Sequence, residues 1–171
     1  MNELEKELAQ LPHCTQVAFA AACAERVLVI YKYTSPGAVV LRGPRVAIDT
    51  AWSFAQGEEI DIKRIEYARS EVNRAFPEPD LGGGAAHISC AAAAYALDAI
   101  HDDTARAAWT ASAYALDAID QIDEENGVEE ERDWQSHVLQ IAKEWGNKPI
   151  RKDMFDGLGR DKPSWLLRLE S

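Results

Sequence analysis

Few residues in this sequence are of types that do chemistry, and their spacing decides what each can do. The cysteines Cys14, Cys23 and Cys90 form no CxxC pair and are odd in number, which fits free thiols in a reducing compartment rather than a disulfide framework. His13 adjoins Cys14, and His87 precedes Cys90 by three residues, a spacing able to set two ligands on one helical face. Zinc needs four ligands, or three and a water, at recognisable intervals. The four histidines make no HExxH or HxxxH pattern, so neither a metal nor a cofactor is expected. The triplet Gly82, Gly83, Gly84 lies ahead of an expected helix but lacks a preceding strand, a GK[ST] and a later GxGxxG; it reads as a loop rather than a phosphate cradle.

Four charged residues remain as candidates. Glu25 and Arg26 sit inside an apolar helical run, and adjacent helical residues point about 100° apart. They cannot pair with each other, and half-buried charges need partners. Ion pairs across helices are expected, since no neighbouring His, Ser or Cys completes a nucleophile and base. Asp98 and Asp117 occupy matched positions of an internal repeat and suggest a carboxylate dyad or a divalent metal site. A di-metal bundle would add Glu-x-x-His motifs, and the sequence has none. The stretch from Asp120 to Asp133 is no EF-hand loop either: with Gly127 in sixth place, Ile122 would stand where the first aspartate ligand belongs. No catalytic residue is expected, and the chain reads as no enzyme.

What stands out instead is charge. Between Asp98 and Asp133 there are 12 acidic residues against Arg106 and Arg132, a charge of −10 out of −11 for the chain. Such a field steers a basic protein partner and repels nucleic acid and anionic lipid. The acids flank Trp109 and Tyr114, and a rigid aromatic inside a charged rim is common interface anatomy. The candidate partner-binding residues are therefore Asp98, Trp109, Tyr114, Asp117, Asp120, Asp123, Glu124, Glu125, Glu129 and Glu130.

These residues are positioned by helices. Nearly every long segment has a period near 3.6 and none alternates, which predicts an all-α, single-domain bundle of about six helices over residues 1–171. Helices are expected over Thr15–Lys32 with Thr15 as N-cap, Pro44–Gly57, Asp61–Ala75 and Glu129–Trp145, with a loop over Glu78–Gly84 and stops at Gly57, Pro77, the Asn126–Gly127 pair and Gly146. Trp52 is expected in the core. Ala94–Ile100 and Ala113–Ile119 both read AYALDAI, predicting two alanine-faced helices back to back. The tail, 147–171, ends in Trp165, Leu166, Leu167 and Leu169, which predicts docking on the bundle. The longest apolar run, Val17–Ala24, is too short to span a membrane, and the acidic start (Glu3, Glu5, Glu7) is unlike a signal peptide. A cytoplasmic protein is expected.

The segment VAFAAACAERVLVIY, Val17 to Tyr31, with its Cys23-x-Glu25-Arg26 and terminal Tyr31, resembles the first long helix of the immunity proteins of bacterial polymorphic toxin systems and of a related all-helical bacterial family of unknown function. Ala47–Trp52 (AIDTAW), the alanine-rich pair and Glu131–Trp134 (ERDW) follow in the same order, so the likeness covers roughly residues 10–145; the tail from Asn147 departs from it. The resemblance implies a helical antidote that binds a cognate toxin acting in the cytosol, a nuclease being one class, by covering it. It carries over no toxin-binding residue. A generic helical interaction or regulatory module, or a small enzyme, are the other classes. A large multidomain toxin gene directly upstream would favour the antidote.

Overall fold

The computed structural model describes residues 2–34, 42–77, 84–101, 103–148, 150–156 and 163–171. Among these there is no strand, and nine helices follow in order: α1 (Glu3–Leu8), α2 (His13–Thr34), α3 (Arg42–Ala55), α4 (Ile62–Ala75), α5 (Gly84–Asp98), α6 (Thr104–Asp120), α7 (Gly127–Trp145), α8 (Asp153–Asp156) and α9 (Ser164–Glu170). Where about six were expected, three short helices (α1, α8 and α9) are added. Of the loop expected over Glu78–Gly84, residues 78–83, with Gly82 and Gly83, lie outside the described residues, and Gly84 is the first residue of α5 instead of a loop residue.

α2 is the central element, packing against α3, α5, α6 and α7. Every residue from Thr15 to Ala24 is buried, because alanines there let neighbours close in on all sides. It is the one described helix long and apolar enough to cross a membrane, and 72 % of its most apolar window is buried inside the bundle. It begins at His13, ahead of the expected Thr15 cap. The Pro12 carbonyl already takes the amides of Thr15 and Gln16, at 2.9 and 3.0 Å, so Thr15 is free to be fully buried in the helix.

α4 starts as read: the Asp61 carboxylate accepts from the Arg64 amide at 2.8 Å. It ends where Phe76, held extended before Pro77, leaves the helical region. α3 and α4 meet closely at Gly43, where a β-carbon would lie 2.4 Å from the Glu71 carbonyl oxygen. Gly127 does not stop a helix as expected; it opens α7. A β-carbon there would meet Ile119, Asp123 and Trp165 at 2.8 to 3.1 Å, so glycine is what lets the α6–α7 turn and α9 converge.

α5 and α6 pair through buried alanines, Ala86, Ala92, Ala93 and Ala96 against Ala108, Ala111, Ala115 and Ala118. They run antiparallel, with Gly84 at the start of α5 beside Gln121 just past the end of α6. Trp52 is 3 % exposed, and the tail returns to the bundle through buried Ile150, Phe155 and Trp165. Leu166 and Leu169 are half-buried, while Leu167 is exposed.

Candidate functional site

Glu25 and Arg26 point to different neighbours, as adjacent helical residues must. The Arg45 guanidinium donates twice to Glu25, at 2.6 and 2.7 Å. The Trp52 indole N–H donates to the same carboxylate at 3.1 Å, and Lys152 reaches it at 2.9 Å. Burial works to raise the Glu25 carboxyl, but Arg45 and Lys152 together outweigh it and hold it below its usual range. Arg26 donates to Glu131 at 2.5 Å and lies 4.4 Å from the centre of the Trp134 ring. The Cys-x-Glu-Arg, AIDTAW and ERDW segments thus meet around α2 as structural pairs, with the partners Glu25 and Arg26 were expected to need.

Glu131 is fully buried, and its second oxygen, Oε1, has no hydrogen-bond partner among the described residues. Burial pushes its carboxyl up to about 7 despite the opposing pull of Arg26. The folded protein therefore holds this proton more tightly than the unfolded chain. The stabilisation is full below the ordinary value of 4.5 and fades as pH rises through about 7. Unfolding free energy should fall over that window by an amount on the order of 3 kcal/mol, and Glu131→Gln should flatten the slope in urea titrations at stepped pH.

Two of the three thiols are sealed in the core. Burial raises Cys23 well above its usual range and takes Cys90 up to about 12, so both stay protonated at neutral pH. His13 packs against Phe54 and faces the Ala99 carbonyl at 3.1 Å, and His87 packs edge-on against Phe76. No group of three metal-ligating side chains occurs among the described residues. Asp98 and Asp117 cannot form a dyad. The equivalent tyrosines of the two repeats, Tyr95 and Tyr114, stack on each other, and because the helices run antiparallel each aspartate lies three residues beyond its tyrosine in the opposite direction, which sets the two roughly 9 Å apart along the hairpin axis.

The acidic run likewise divides. Asp98 sits at the α5–α6 turn, paired with Arg69 at 2.6 Å. Asp123 is 1 % exposed; Arg168 holds it at 3.1 Å, and the Ser164 hydroxyl oxygen lies 3.4 Å away. Glu130 accepts from the Ser164 amide and hydroxyl, at 2.8 and 2.7 Å. Asp123 and Glu130 thus fasten α9 rather than forming free surface charge, because the turn places them under the returning tail. Asp117, Asp120, Glu124, Glu125 and Glu129 are exposed, and no described cation lies within ion-pair reach of them. These five form an acidic end at the close of α6, the turn and the start of α7.

Their placement is unfavourable to the fold. Asp117 and Asp120 stand in the last turn of α6, which carries no basic residue, where the helix dipole already concentrates negative charge. Asp117→Asn and Asp120→Asn should each stabilise the protein by roughly 0.3–1 kcal/mol at low salt, read as a raised thermal midpoint.

Of the two aromatics, Tyr114 is stacked on Tyr95 with ring centres 5.3 Å apart, and its hydroxyl is raised by burial and then by Tyr95 and Asp117. Trp109 is half-buried and lines two concavities. One, of about 350 Å³, lies between α5 and α6 beside Asp98 and Asp103. The other, of about 570 Å³, is a groove between α1, α6 and α7 lined also by Leu116, Arg132, Gln135 and Leu139. Sequence reasoning missed this groove because it missed α1. The signal was there: Asn2 and Glu5 form a capping box, with the Asn2 side chain accepting from Leu4 at 3.1 Å.

Fold and surface together define an all-helical protein whose core charges are spent on internal pairs and which carries, at the α6–α7 end, five exposed acids without an ion-pair partner among the described residues. Residues 6–142 match the Imm-5 like putative immunity protein family, and the chain belongs to that family. A solved structure of a DUF416 family protein from Shewanella baltica OS155 is similar, with a TM-score of 0.71 over 92 % of each chain and 20 % identity; at that identity the likeness is one of fold. No curated protein matches the sequence.

Proposed function

We propose that this protein is the antidote to a cognate toxin that acts in the cytoplasm, where the antidote must also reside, and that it neutralises the toxin by covering a basic surface with its acidic end. Family membership supports an immunity role. The observation that carries the rest is the set of exposed acids with no ion-pair partner among the described residues, Asp117, Asp120, Glu124, Glu125 and Glu129. Two of them oppose the dipole of the helix that bears them, so folding does not account for their presence. A nuclease offers the matching surface, being basic where it grips phosphates.

Exposed charge acts mainly on association. Reversing Asp117, Asp120, Glu124 and Glu125 to lysine should slow k_on for the toxin domain encoded immediately upstream by roughly 10-fold or more and flatten its salt dependence. Asp123 is left intact because it holds α9. Stopped-flow kinetics at low and high salt read both effects, and an unchanged rate with retained protection of cells would overturn this face as the binding surface.

A further inference from the structure

We infer that the groove between α1, α6 and α7 is a second toxin contact of opposite sign, receiving a segment that carries a carboxylate beside an apolar side chain. The inference rests on the antidote reading above. α1 and α7 both pack on α6, and Lys143 of α7 reaches Glu7 of α1 at 2.6 Å, closing one end of the groove while its length stays open. Its apolar part is Trp109, Leu116 and Leu139. Its polar part is on α7, where Arg132 and Gln135 are three residues apart and so share a face.

Both carry unused bonding capacity. Arg132 is exposed and has no described acid within ion-pair reach, although Glu129, Glu130, Glu131 and Asp133 adjoin it in sequence. Gln135 is 5 % exposed. Its amide N–H donates to the Ser112 carbonyl at 3.2 Å, while its Oε1 accepts from no described residue. That oxygen is not one of the fully buried polar atoms left without a partner, and Gln135 belongs to the groove lining, so a partner's donor can reach it from the groove. A partner carboxylate on Arg132, a partner N–H on Gln135 Oε1 and an apolar side chain against Trp109 complete these three needs at once. A volume of about 570 Å³ has room for a few side chains. Leu116 adjoins Asp117, and Arg132 lies three residues after Glu129 on the same face of α7, so a toxin seated on the acidic end reaches the groove without a gap.

The two contacts predict opposite outcomes for one substitution. Arg132→Glu makes the protein more acidic by two charges, so a toxin that met only the acidic end would associate as fast or faster and dissociate no faster. A carboxylate in the groove makes Arg132→Glu raise k_off by about 10-fold or more with k_on no slower. Ser136→Trp, at an exposed position on the groove rim, should raise k_off similarly by filling the space. Kinetics with the upstream-encoded toxin domain against wild type and both variants read these effects, alongside unfolding midpoints. Independently, hydrogen exchange on the wild-type complex should show new protection in α1 and over Arg132–Leu139. Wild-type k_off in both variants, or no protection there, overturns the groove while leaving the antidote reading standing. No binding of that toxin to the wild-type protein overturns both.

Discussion

Arg26→Ala is expected to lower the unfolding free energy by about 3–5 kcal/mol at pH 8, because it strands a buried carboxylate. Glu131 is fully buried, Arg26 is its ion-pair partner at 2.5 Å, and its other oxygen accepts no bond from the described residues. The cost should shrink on acidification, since burial already holds the Glu131 carboxyl near 7 and a protonated group needs no counter-charge. A pH 8 to pH 5 series of urea midpoints separates this from a plain packing loss, which would be the same at both ends. Adding Glu131→Gln should recover part of the loss at pH 8. Failure to do so would assign the cost to the Arg26–Trp134 contact instead.

Trp52→Ala should cost about 3–5 kcal/mol, for a different reason. The indole is 3 % exposed, lies 5.9 Å from the Phe155 ring and donates its N–H to Glu25. Truncation leaves a cavity between α3 and the tail and removes one of the groups that fix the Glu25 carboxylate. Besides a lower denaturation midpoint, limited proteolysis should speed up around Arg151–Phe155, since Lys152 and Phe155 both lean on the lost ring. A lowered midpoint with unchanged tail cleavage would mean that α8 is held elsewhere.

Period and punctuation made the long helices legible. Asp61 caps α4 as its side chain suggests, and Glu25, Arg26 and Trp52 are buried or paired as an apolar context demands. Legibility failed where a backbone group or a distant element replaced the local signal. Thr15 does not cap because a proline carbonyl does, and Gly127 reads as a stop but is a space for Trp165. For the candidate site, the charge was legible and the geometry was not. Counting acids along the chain cannot reveal that Asp98 and Asp117 diverge in opposite directions from the Tyr95–Tyr114 stack, or that Asp123 and Glu130 are taken by Ser164 and Arg168. Periodicity says which face a residue shares with its own helix, and nothing of what returns from 41 residues later in the chain.

The doubled AYALDAI segment has a further meaning once its two copies run in opposite directions. Stacked in the same direction, equal sequences would present equal side chains at one height and make a repeated site. Head to tail they form a near-dyad, in which alanine faces alanine along the seam while everything flanking the copies is driven to opposite poles. Drift in one pole then leaves the seam and the other pole untouched. Exposed residues at the α6–α7 pole can change sign, size or number, provided that Asp123, Gly127 and Glu130 keep their hold on α9. A frame of this kind can follow a changing adversary on the outside without renegotiating its own folding.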